Sequence, residues 1–132
     1  MRGRTGDAPP QDVVFFISSP SRDAAFLVGF ADEFEDVLRD FSKDQILDSA
    51  RDGAVTMSKG RLDGELFITK DSYPGRDLHI SGPGSAASRF QIFLVGHRRY
   101  MVGVTATTAA GIFSRDVGRF FDSFRLTAES TR

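Results

Sequence analysis

The sequence predicts an α+β fold organised around a central antiparallel hairpin, and three observations carry that prediction. Apolar residues alternate along residues 89–105, with Phe90, Ile92 and Leu94 before Gly96 and Tyr100, Val102 and Val104 after it. The intervening positions hold Phe93, Val95 and Met101, assigned to the opposite face, so both faces are apolar and both need cover. Two segments with helical spacing, near 43–58 and near 114–124, flank the hairpin in the chain.

The elements follow in order. Residues 1–11, rich in Gly, Pro and Arg, read as a loose N-terminal arm. Val13 to Ile17 and Ala24 to Phe30 are apolar runs on either side of a Ser/Pro/Asp turn cluster, which gives an N-terminal hairpin. Asp32 to Asp40 is acidic with interspersed Phe34, Val37 and Leu38, and fits a loop or one or two helical turns. Ser42 with Gln45 matches a capping box, and Ile46, Leu47, Ala50 and Ala54 then share one helical face. Leu62 to Thr69 is a strand, Lys70-Asp71-Ser72 a turn and Arg76 to Ser81 the next strand. Tyr73-Pro74-Gly75 is expected to interrupt the ladder, because Pro lacks the N–H. In the last helix Phe113, Val117, Phe120, Phe121 and Phe124 form one stripe expected to lie against the sheet. The body is therefore one domain over 12–127, with 128–132 as a tail.

Composition narrows the function classes. Seventeen basic and 18 acidic residues leave a net charge of −1, which gives no global attraction to nucleic acid or anionic membrane. The absence of Cys excludes disulfides, thiolate metal sites and a Cys nucleophile. No apolar run is long enough to span a bilayer, and Met1 to Pro10, with Arg2 and Arg4 but no following apolar stretch, does not read as a secretory signal. Cytoplasmic is the default location, with periplasmic or membrane-peripheral as the alternative.

Few residues invite chemistry. Asp77 and His79 lie two apart on one strand face, the spacing of a carboxylate-assisted base. Without a nucleophile-elbow serine, the surface-histidine reading outweighs it. Asp32, Glu33, Glu35, Asp36 and Asp40 lack EF-hand spacing and read as a solvated acidic face. Gly82-Pro83-Gly84-Ser85 lacks the Gly-Lys-Ser/Thr ending of a phosphate loop and reads as a turn. Arg76 reads as structural, its guanidinium held by a carboxylate such as Asp71. No cofactor and no metal is expected. His97, Arg98 and Arg99 at the hairpin tip, with Arg89 at the start of the same hairpin, are the candidate partner-binding residues. The competing reading is an edge kept soluble by charge.

Four motifs add a family resemblance. Ile46-Leu47-Asp48-Ser49-Ala50-Arg51-Asp52-Gly53-Ala54 resembles the first-helix motif of bacterial PsbP-like proteins. Tyr73-Pro74-Gly75-Arg76-Asp77 resembles their Pro-Gly-Arg-Glu, and Phe93 to Tyr100 resembles their Tyr-Leu-Val-Gly-Asn-Arg-Leu-Tyr hairpin. Phe120-Phe121-Asp122-Ser123-Phe124-Arg125-Leu126 resembles their closing Phe-Leu-Asp-Ser-Phe-Lys-Leu. The resemblance implies a PsbP/Mog-type α-β-α sandwich with a central antiparallel sheet. It also implies a non-catalytic role: PsbP proteins attach to photosystem II, and the Mog-type import factor binds the GTPase Ran. His97 stands where the family has Asn and Arg99 where it has an apolar residue, so this tip is more basic.

The expected function is a non-catalytic protein-interaction module, an accessory or stabilising subunit of a larger assembly. The alternative is a small-molecule or lipid-binding domain with a pocket between sheet and helix.

Overall fold

The computed structural model describes residues 13–18, by their backbone, and residues 24–126. The expected arm (1–11), turn residues 19–23 and tail (128–132) lie outside the described residues. Strands β1 (Val13–Ser18) and β2 (Ala24–Asp32) pair antiparallel. Helix α1 (Glu35–Asp40) occupies the acidic segment, and α2 (Lys43–Met57) follows at once. Strands β3 (Arg61–Lys70), β4 (Tyr73–Ser81), β5 (Ala87–Val95) and β6 (Arg98–Ala106) come next. A 3-10 turn (Ala109–Phe113) leads into α3 (Arg115–Ser123). The six strands form one antiparallel sheet in the order β1-β2-β6-β5-β4-β3.

Local chemistry accounts for the boundaries. Ser42 Oγ accepts from the Gln45 amide at 3.1 Å and Gln45 Oε1 accepts from the Ser42 amide at 2.8 Å, closing the capping box. Gly96, at φ 61°, takes the first position of the two-residue β5–β6 turn, where a side chain would be strained. The β3–β4 turn is also two residues, Asp71 and Ser72, both at positive φ. The ladder therefore runs through Tyr73 and Pro74 rather than breaking there, a correction to the sequence reading. Pro74 is tolerated because its pairing is with β3 alone; pairing with β5 begins at Gly75.

Each face of the sheet has its own core. On one face Ile46, Leu47, Ala50 and Ala54 of α2 pack on Leu78, Ile80, Phe90, Ile92 and Leu94. On the other Val117 and Phe121 of α3, with Ile112, pack on Ala87, Val102, Val104 and Ala106. Burial of each of these side chains contributes roughly 1.5–3 kcal/mol for the larger apolar ones. The register Phe93↔Tyr100 and Ile92↔Met101 corrects the assignment of faces. Phe90, Ile92 and Leu94 share the α2 face with Met101, whereas Tyr100, Val102 and Val104 share the α3 face with Phe93 and Val95. The two-residue turn sets this: Val95 pairs with Arg98, so odd positions of β5 meet even positions of β6.

The C-terminal stripe is only partly as expected. Val117 and Phe121 are buried, but Phe120 and Phe124 are half-buried and Phe113 is 60% exposed. Phe113 belongs to the 3-10 turn, and Phe124 has already left the helix as its extended C-cap, so neither keeps the helical phase. Two fully buried aromatics lie opposite glycines on neighbouring strands. A Cβ on Gly103 would stand 2.6 Å from Phe90 Cε1, and one on Gly75 would stand 2.7 Å from Phe93 Cε1. Gly at these positions leaves room for the rings to lie on the sheet.

Candidate interaction site

The hairpin tip carries its expected cations, but the end of β2 meets them with carboxylates. Arg98 donates to Asp32 from Nε at 2.7 Å and from a terminal nitrogen at 3.2 Å, and its guanidinium stacks on the Phe30 ring at 4.2 Å. The hydrogen bond from Arg98 is the main reason the Asp32 carboxyl titrates below its ordinary value, and Asp32 in turn raises Arg98. Arg99 donates to Glu33 at 2.6 Å, and His97 Nε2 lies 3.6 Å from Asp32. The pairing follows from register: Asp32 is directly opposite Arg98 on the adjacent strand. A tip read in isolation is basic; with β2 beside it, the tip is an ion-pair cluster.

Arg89 does not join this cluster. It is the third residue of β5, six residues from Val95, a separation of about 20 Å along the strand. Its guanidinium grips the buried Asp77 through two bonds, at 3.2 and 2.8 Å, and lies 4.6 Å over the Phe121 ring. Gln91 adds a third bond to Asp77 at 2.9 Å. His79 Nε2 stands 3.3 Å from Asp77 and its ring meets Phe113 edge-on at 5.1 Å. Asp77 and His79 do share a face, as their spacing predicts. Both Asp77 oxygens are engaged by Arg89, which makes the group an anchor between the sheet and α3.

Arg76 is structural, with different partners from the one expected. The side chain is 1% exposed and reaches Asp48 at 2.7 Å, Asp44 at 3.1 Å and Glu65 at 3.2 Å under the Phe67 ring. Arg51 extends the network to Asp48, Asp52 and Glu65. Arg76 falls on the α2 face of β4, so it meets α2 acids. Asp71, in the turn, instead accepts from the Leu126 amide at 2.7 Å.

The feature that sequence reasoning missed is a groove between α1 and α2. It encloses about 630 Å³, with Phe34, Val37, Phe41 and Ile46 as its apolar lining. Asp48, Asp52, Glu33 and Arg99 stand on its polar side. Phe34 and Phe41 are 38% and 52% exposed, and α1 buries none of its residues fully. The available signal was the set of aromatics flanking an acidic helix too short to cover them. The groove lies on the α2 side of the sheet, opposite Asp77 and His79.

Among the described residues, no group of three or more His, Asp or Glu is arranged to hold a metal ion. No helix among them is long and apolar enough to cross a membrane. No protein-family model matches this sequence, and no curated protein matches it. Among solved structures, the chain is similar to protein PA94 of Pseudomonas aeruginosa, a protein of unknown function and candidate regulator. The two share 13% identity and superpose with a TM-score of 0.58, over 91% of this chain and 85% of PA94, which places this α+β antiparallel fold beside one already solved.

Proposed function

We propose that this chain is a non-catalytic protein-interaction module, an accessory or stabilising subunit of a larger assembly, membrane-associated assemblies included. The observation that carries the reading is the groove between α1 and α2, where Phe34 and Phe41 remain exposed next to charged residues. Aromatics at a concave, polar-rimmed surface are typical of interface anchors. The one histidine–carboxylate pair with catalytic spacing has its carboxylate committed to Arg89 and Gln91. The PsbP/Mog-type sandwich belongs to the same reading, since helices cover both faces of the antiparallel sheet. The basic tip contributes to a partner surface only as part of its pairs with Asp32 and Glu33. A small-molecule reading has one supporting observation, the groove volume, which lies within the range of ligand sites. That groove lies between two helices, not between sheet and helix.

Affinity purification of the tagged full chain from its native host, followed by mass spectrometry, tests the proposal. The expected result is one protein recovered in stoichiometric amount. A chain that elutes alone, or with a bound small molecule and no protein, overturns it.

A further inference from the structure

We infer that the groove between α1 and α2 receives a basic amphipathic helical segment of a partner protein. The inference rests on the interaction-module reading and adds the chemistry of the partner. Shape is the first argument. The groove is flanked by two helices and lined by Phe34, Val37, Phe41 and Ile46, which suits apolar side chains repeating at i, i+3, i+4 and i+7 on one helix face.

Charge is the second argument. From Asp32 to Asp52 the chain holds eight acidic and three basic residues, a net charge of −5, and the three arginines that reach these acids from the sheet, Arg76, Arg98 and Arg99, leave −2. Three of the local arginines are engaged: Arg99 by Glu33, Arg51 by Asp52 and Glu65, and Arg39 by Asp40. The surplus acids are placed along the helices that flank the groove. Among the described residues Asp36 accepts only from the amide of Val37 next to it, and Asp44 and Asp52 remain 72% and 71% exposed while paired. A helix with Leu-type residues on one face and Lys or Arg at its margins matches both the lining and the surrounding field. An acidic or a purely apolar segment matches only one of them.

The test uses the full chain and a fluorescein-labelled peptide of Leu and Lys, about 18 residues long, with Leu at helical spacing. The controls are the same peptide with Glu replacing Lys, and a scrambled Leu/Lys peptide of equal charge. The expected result is micromolar binding of the first peptide alone, weakened about tenfold or more by raised salt. Phe41→Ser, at an exposed position, should weaken it about tenfold, and Phe34→Ser should act in the same direction. Amide shift changes in the labelled protein should centre on the groove. Absence of binding up to about 1 mM, equal binding of either control, or binding indifferent to both Phe variants overturns the inference. If the peptide fails while a stoichiometric partner still co-purifies and protects another surface, this inference falls and the module reading stands. If no protein partner co-purifies, the module reading falls as well.

Discussion

Lys70, the last residue of β3, caps the end of α3: its Nζ donates to the carbonyl of Phe121 at 2.5 Å and to that of Phe124 at 3.0 Å. Helix C-termini leave carbonyls without intrahelical partners, and a cation there also meets the favourable end of the dipole. Burial lowers the pKa of Lys70, with Arg125 adding to the effect, so the contact is made at some cost in hydration. Asp71, next in the chain, accepts from the Leu126 amide. The β3–β4 turn thus holds the closing segment through both a donor and an acceptor.

Lys70→Met keeps the stem and removes the donor. We expect a loss of about 1–2 kcal/mol in denaturant unfolding at neutral pH, since two carbonyls lose a charged partner. Amide exchange should quicken first at the C-terminal end of α3. An unchanged midpoint would show that the capping contributes nothing.

Phe121, not Phe124, is the aromatic on which α3 depends. Phe121 is 2% exposed within the core that includes Val102 and Val104, whereas Phe124 is half-buried beyond the helix end. Phe121→Ala should cost about 3–5 kcal/mol and Phe124→Ala about 1–2 kcal/mol. Equilibrium melts of the two variants decide the order, and a reversed order would place the helix wrongly.

The Arg76 guanidinium reaches three acids from β4, and a lysine cannot reproduce that fork. Arg76→Lys should lose about 2–3 kcal/mol, less than for a fully buried pair because Asp44 and Asp48 are well exposed. Crystal structures and melts of the variant would check it. A loss below about 0.5 kcal/mol would mean that Phe67 and the strand pairing alone fix this region.

Much of this architecture was legible because local signals agreed with the global fold. The capping box at Ser42, the apolar face of α2 and the chain reversal at Gly96 depend on near neighbours, and all are found where the residues place them. The interruption expected at Pro74 was not found, because strand position decides whether its missing N–H matters. The partners of Arg76, Arg98 and Arg99 were illegible, since sheet register and helix docking bring Asp48, Asp32 and Glu33 to them. The groove depends on how α1 leans on α2, which no sequence period encodes.

The Asp32–Arg98 pair makes a specific demand on pH. The hydrogen bond from Arg98 depresses the folded-state pKa of Asp32 below 3.8, so the unfolded chain takes up this proton first as pH falls. The stabilisation is therefore complete above the unfolded value and is lost as pH falls through the folded one. Asp32 is 46% exposed, which limits the contribution to about 0.5–1 kcal/mol. Wild type and Asp32→Asn should differ by that amount at neutral pH and at about pH 5, then converge as pH falls through the folded-state titration of Asp32, with other carboxylates cancelling in the difference. The gap at neutral pH should also narrow in high salt, as for a solvent-accessible pair. A difference that persists at the acid limit, or one that grows there, would mean that Asp32 stabilises the tip through its shape rather than its charge.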